Sequence, residues 1–142
     1  VGLQCSKSRG SRLVLPELFA ALAGSGSQLR SLSLQGVDAH GELDKLTALT
    51  QLTQLELEFC GLHNSEVTQL SALTGLQCLS LADNRKILGH RGSILMLAST
   101  LNQLTTFTCS NKADDVVQRV FGHRITASKA YGLYSTQYTI AL

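Results

Sequence analysis

The chain has 142 residues, enough for one domain, with 15% charged and 5% aromatic residues, no Trp and one Pro. A hydrophobic fraction of 44% argues against a disordered linker, and no apolar run approaches the ~20 residues that span a bilayer. The formal net charge of +2 supplies no strong field for nucleic acid or an anionic membrane, and the densest basic cluster, Lys7, Arg9 and Arg12, reads as solvated surface without stacking aromatics.

In chain order, Val1-Gly2-Leu3 opens the sequence without a Met or a signal peptide, which reads as a fragment or a trimmed product. Residues 1–28 form a degenerate N-terminal unit. Within it Leu13-Val14-Leu15-Pro16 looks like an imperfect strand, and Glu17 to Ala23 like a helix with Pro16 at its start, broken by Gly24-Ser25-Gly26. Three segments then superimpose: Leu29 to Leu34, Leu52 to Leu57 and Leu76 to Leu81. Each reads LxxLxL, and their first leucines stand 23 and 24 residues apart. Leu46 and Leu49 lead into the second segment, Leu70 and Leu73 into the third. The LxL portion is a period-2 strand with its leucines on one side, and the stretch between two strands must cross back, so neighbouring strands run parallel. Asn64 to Leu73 and Ser93 to Leu101 read as crossover helices.

A fourth segment admits two registers. Leu101 to Thr106 buries Leu104 and Thr106; Leu104 to Cys109 buries Phe107 and Cys109. The two have opposite parity and send opposite residues inside. The second is favoured, because burying Phe107 is worth roughly 2 kcal/mol. Beyond Asn111, Asp114 to Phe121 reads as a helix with Val116, Val117, Val120 and Phe121 on its apolar side. Ala130 to Leu142, with Tyr131, Tyr134 and Tyr138, reads as a terminal hairpin, a cap or a frayed tail.

The spacing and the leucine positions resemble the leucine-rich-repeat family, whose pattern is LxxLxLxxN/CxL. Cys60 and Leu62 fill the ninth and eleventh places of the second repeat, and Asn84 the ninth place of the third. The resemblance covers Leu29 to about Lys112. It implies an α/β solenoid: a curved parallel sheet on the concave side, short helices or loops on the convex side, and a single domain with repeats at 29–112 and a possible helix and cap at 113–142. It also implies that the ninth-place Asn hydrogen-bonds the turn backbone. Asn84 can do so, Cys60 only weakly, and Val37 not at all.

By the same resemblance, the solvent-facing strand positions would contact a protein partner. These are Ser31, Ser33 and Gln35; Gln54, Glu56 and Glu58; Cys78, Ser80 and Ala82; and Thr106, Thr108 and Ser110. The rows are small and polar except around Glu56 and Glu58, with Phe59 next and Asp83 one strand over. The candidate partner-binding set is therefore Gln54, Glu56, Glu58, Phe59, Cys78, Ser80 and Asp83, suited to a basic or amphipathic segment. The solvated-face alternative assigns no partner there.

Other chemistry finds little support. Glu56 and Glu58 lie two residues apart, but nothing in the sequence makes a cleft or raises one pKa for glycosidic hydrolysis. His40 and His63 each fall eleven residues past their repeat's first leucine and should stack on adjacent loops, with His90 near the same edge; zinc needs more ligands. Cys78 lacks a neighbouring cation to lower its pKa. Gly89-His90-Arg91-Gly92 lacks the setting of a phosphate loop. The expectation is a protein-interaction scaffold with no catalytic residues, metal or cofactor, no nucleic-acid partner and no membrane insertion. The alternative is a structural segment of a larger receptor, adaptor or enzyme. Unpaired cysteine spacing and the lack of a glycosylation sequon tilt towards an intracellular, cytoplasmic setting. The weakly capped N-terminal end predicts end-to-end packing or membership of a longer array.

Overall fold

A computed structural model describes residues 1–6, 15–24, 28–87 and 89–142. Its first element is a strand the sequence reading did not place, β1 (Gly2–Ser6), with Leu3 and Cys5 half-buried towards the core. The imperfect strand expected at Leu13-Val14-Leu15-Pro16 is corrected: Leu15 and Pro16 open a helix, α1 (Leu15–Gly24). Pro is harmless in a first helical turn, whose amides have no intrahelical partner. Leu15 and Phe19, four apart on one helix face, are both buried. Leu13, Val14, the basic cluster at Lys7, Arg9 and Arg12, and the Ser25-Gly26 break lie outside the described residues.

The three LxxLxL segments supply β2 (Ser31–Gln35), β3 (Gln54–Glu58) and, after a short helix α2 (Asn64–Val67), β4 (Cys78–Ser80). They pair parallel, with Leu32 beside Leu55 and Leu55 beside Leu79. On the other side of β2, Leu3 and Cys5 of β1 stand beside Leu32 and Leu34. The crossover expected at Asn64 to Leu73 forms as α2 followed by a 3-10 segment, Thr68–Ala72, whose Thr68 and Ser71 hydroxyls donate to the carbonyls three residues back. Leu43–Ala48 is a further 3-10 segment.

The chain continues through α3 (Arg91–Thr100), β5 (Thr106–Ser110), α4 (Asp114–Phe121), β6 (Ile125–Tyr131) and β7 (Ser135–Ile140). β5 pairs with β4 so that Phe107 stands beside Leu79, and Phe107 and Cys109 are fully buried, as the favoured fourth register requires. The C-terminal stretch is a hairpin: Gly132, at φ +63°, turns β6 into β7, which pairs antiparallel with both β6 and β5.

That hairpin overturns the fold expected from the sequence. The chain does not form a leucine-rich-repeat solenoid with a curved, wholly parallel sheet. It is an α/β fold built on one seven-stranded mixed sheet, in the order β1-β2-β3-β4-β5-β7-β6, with five parallel strands and two antiparallel C-terminal ones. Neither a repeat architecture nor a concave and a convex side describes it. The physical reason lies after Asn111, where the regular leucines stop: α4 still crosses over to β6, but the tight turn at Gly132 then sends β7 back between β5 and β6. Antiparallel strands can be joined by such a turn, whereas parallel strands cannot.

One face of the sheet is covered by helices. The strand leucines, Phe107 and Tyr138 join Phe19, Leu43, Leu46, Leu70, Leu97, Val117 and Phe121 in a single core. The opposite face carries the polar alternates of the strands. The helix expected at Asp114 to Phe121 forms with those bounds, burying Val117 and Phe121 and half-burying Val116 and Val120. Among the described residues no helix is long and apolar enough to cross a membrane.

Candidate functional site

On the polar face, strand alternation brings Gln4, Ser33 and Glu56 into one row and Gly2, Ser31, Gln54, Cys78 and Thr106 into another. Two shallow depressions adjoin there and share Gln54 and Glu56. The first, about 330 Å³, is lined by β1, β2 and β3 through Gly2, Leu3, Gln4, Ser31, Ser33, Gln54 and Glu56. The second, about 290 Å³, is lined by β3, β4 and β5 through Gln54, Glu56, Cys78, Leu79, Ser80, Thr106 and Thr108, and walled by Tyr131 and Gln137 of the hairpin. The Gln54 amide Nε2 donates to Glu56 Oε1 at 2.8 Å where the two meet.

The hairpin wall changes the fate of the residues expected to face a partner. Ser80, Ala82, Thr108 and Ser110 are buried, not solvent-facing. The Tyr131 hydroxyl donates to Glu58 Oε1 at 2.8 Å, and the Ser80 hydroxyl donates to the same oxygen at 3.1 Å. Tyr131 is four strand steps from Glu58 in the sheet order, about 19 Å in a flat sheet, beyond the reach of any side chain. The hairpin tip therefore leans over the polar face. Its bond to the Glu58 carboxylate, with partial burial, pushes the Tyr131 phenol up to about 12.

Of the residues singled out from the sequence, Gln54, Glu56, Cys78 and Ser80 line the depressions, and Glu58 is tied to the hairpin and to Ser80. Phe59 and Asp83 lie beyond the strand ends, where the chain leaves the sheet, with φ of +54° and +58°. Gly36, at φ +68°, occupies the equivalent place after β2. Successive turns are bonded to one another: the Gly36 amide donates to the Glu58 carbonyl, and the Phe59 amide to the Ala82 carbonyl. The Asp83 amide donates to Ser135 Oγ at 3.0 Å. Phe59 is 51% exposed.

The ninth-place residues act on the turn backbone. Asn84 is buried, and its Nδ2 donates to the carbonyls of Leu57, Leu81 and Ala82 at 2.6–3.2 Å. Its Oδ1 accepts from the amides of Cys60 and Leu62 at 3.0 and 3.2 Å. The Cys60 thiol reaches the carbonyls of Leu34 and Glu58 at 3.4 and 3.3 Å, and burial pushes that thiol up to about 12. Cys60 and Cys109 are core residues, and all four cysteines are free thiols.

At the next turn outward, His40 and His63 stack with ring centroids 4.4 Å apart. Glu66 lies beneath them. Its carboxylate accepts from the Gly41 amide at 2.5 Å, the His63 amide at 2.9 Å and His40 Nδ1 at 3.1 Å. Burial pushes the Glu66 carboxyl up, but these donors outweigh it and hold the group below its ordinary value. His90 joins the same edge through Asn64, whose Oδ1 accepts from the His90 amide at 3.4 Å. Among the described residues no three His, Cys, Asp or Glu side chains are arranged to hold a metal ion.

The sequence reading missed Tyr131, Ser135 and Gln137 as site residues. The three tyrosines of the C-terminal stretch were visible, but only pairing of β7 with β5 sets which of them meets the face. Comparison with protein-family models, curated proteins and solved structures finds no match for this chain.

Proposed function

We propose that this chain is a protein-interaction module that holds its partner on the polar face of the sheet across β1 to β4. The observation carrying this reading is the pair of adjoining depressions that meet at Gln54 and Glu56. Among the described residues the helices and 3-10 segments cover the opposite face, and the polar face stays accessible beside the hairpin. It offers small side chains and amide, hydroxyl and carboxylate groups, which suit a hydrogen-bonded protein surface. Glu56 has no ion-pair partner among the described residues, so a basic segment is the complementary partner.

A second reading, a structural segment with no binding role of its own, draws support from the burial of Thr108 and Ser110 near the chain's own hairpin. One experiment separates the two. The wild-type chain and a Ser33→Arg/Gln54→Arg variant, matched for thermal stability, are used to capture partners from the source organism. Recovery of a defined partner by the wild type and its loss with the variant supports the module. Equal recovery by both, or none by either, favours the structural segment.

A further inference from the structure

The turns that follow β2, β3 and β4 all place one residue in the left-handed region: Gly36, Phe59 and Asp83. Glycine adopts this conformation freely, and Asp is among the side chains that tolerate it. A bulky aromatic residue there is an outlier. Phe59 accepts that strain and still leaves half its surface in water, so neither backbone preference nor core packing explains it. Strain of this kind that is retained at an exposed position points to use of the side chain.

The surroundings of Phe59 supply the rest. Its amide bonds the carbonyl of Ala82, which places Asp83 on the adjoining turn, about 5 Å away by strand spacing. Asp83 in turn adjoins the hairpin tip: its amide bonds Ser135, and its Oδ2 lies 4.0 Å from where a Cβ on Gly132 would stand. The tip exposes Leu133 (83%) and Tyr134 (47%), and the Arg85 guanidinium lies 4.9 Å from the centre of the Tyr134 ring. Apolar groups thus stand on both sides of Asp83. Neither Asp83 nor Glu58 has an ion-pair partner among the described residues.

We infer that this rim, Phe59 and Asp83 with Leu133 and Tyr134, docks a protein segment that places an apolar side chain next to a Lys or Arg. The apolar side chain covers Phe59 and Leu133, and the cation meets the Asp83 carboxylate with Glu58 behind it. The inference rests on the interaction-module reading and adds the chemistry of the partner and the place where it anchors. Charge complementarity selects this occupant: an anionic membrane or an acidic segment would face the Asp83 and Glu58 carboxylates, neither in an ion pair among the described residues, with the Arg85 guanidinium set over the Tyr134 ring.

The test is selection of a random twelve-residue peptide library on the immobilised full chain, followed by titration of an enriched peptide against variants. The expected peptides pair an apolar residue with an adjacent Lys or Arg. Their binding weakens at least ~10-fold with Phe59→Gly and with Asp83→Asn. Phe59→Gly leaves the melting temperature equal or higher, which separates lost docking from lost folding. Peptides whose binding falls with Ser33→Arg/Gln54→Arg but not with Phe59→Gly overturn the rim and leave the face reading standing. Selection of acidic peptides or of none, or binding only to phosphatidylserine vesicles, overturns the rim as a protein-docking site.

Discussion

The carboxamide of Asn84 holds the backbone of Cys60. Asn84 Oδ1 accepts from the Cys60 amide at 3.0 Å across a turn-to-turn contact 24 residues long in sequence, while the Cys60 thiol reaches back to the Leu34 carbonyl in β2. One buried side chain thereby bonds backbone groups at the end of β3 and in the turns after β3 and β4. Buried amides and carbonyls without partners are costly, so this position should dominate the stability of the turn region.

Asn84→Ala removes a hydrogen bond from two buried amides and from the carbonyls of Leu57, Leu81 and Ala82, the last of which keeps the Phe59 amide. The expected loss is about 3 kcal/mol or more, since each unsatisfied buried group costs ~1–3 kcal/mol. Urea unfolding followed by circular dichroism measures it. A loss below about 1 kcal/mol would mean that water replaces the carboxamide.

Phe59 and Gly36 occupy equivalent left-handed turns and should respond in opposite directions. Phe59→Gly removes the left-handed strain and should leave stability unchanged or raise it by up to ~1 kcal/mol, the strain relief being partly offset by glycine entropy. Gly36→Ala introduces the strain and should lower stability by ~1 kcal/mol. Thermal melts of the two variants decide this, and a destabilised Phe59→Gly would show that the ring packs usefully against the fold.

The Tyr131–Glu58 contact makes the hairpin sensitive to alkali. The folded chain keeps the Tyr131 phenol protonated up to about 12, above the ordinary tyrosine value of 10.0. The contact therefore stabilises the fold fully below about pH 10 and is lost as pH rises through about 12. Tyr138, buried and donating to Asp114, is shifted in the same direction. Tyr131→Phe should be less stable than wild type at neutral pH, with the gap closing between pH 10 and 12. Parallel unfolding curves at several pH values provide the check, and a gap independent of pH would refute the assignment.

Glu66 should govern the acid side. Its carboxyl is held below its ordinary value of 4.5, so its contribution is present above that pH and is lost as pH falls through the lower folded value. Glu66→Gln, which cannot match three donors with one amide oxygen, should cost roughly 1–3 kcal/mol near neutral pH. It should also flatten the acid limb of the stability profile. Retention of the full acid limb in the variant would place the titrating group elsewhere.

Asp114 ties the hairpin to the helical layer, accepting from the Tyr138 hydroxyl at 2.6 Å and the Thr136 hydroxyl at 3.0 Å. Asp114→Ala leaves the buried Tyr138 hydroxyl without that partner. Amide hydrogen exchange should then quicken in β6 and β7 before it changes in β2 and β3. Uniform acceleration along the chain would indicate that the hairpin and the parallel strands unfold as one unit.

Local spacing carried the parallel part of this molecule. The interval of 23 to 24 residues and the LxL alternation set which leucines of β2, β3 and β4 point inward and which strands adjoin, because strand parity and core burial are periodic in the chain. The burial of Phe107 and the helix from Asp114 were legible for the same reason, each depending on neighbours at fixed offsets, while the role of Asn84 in bonding the turn backbone came only from the family resemblance. The fold as a whole was not. Antiparallel addition of β7 beside β5, which turns the sheet into a mixed one, follows no period in the sequence. It depends on backbone edges that exist only once β5 has joined β4. The same step brings Tyr131 to Glu58, 73 residues away, and Ser135 to Asp83, 52 residues away. Sequence determined the polar row around Gln54 and Glu56. Tertiary structure alone decided that Glu58 is tied to the hairpin, because that follows from where a non-periodic hairpin docks, and that the left-handed turn repeated at Gly36, Phe59 and Asp83 leaves an aromatic ring exposed at its middle member.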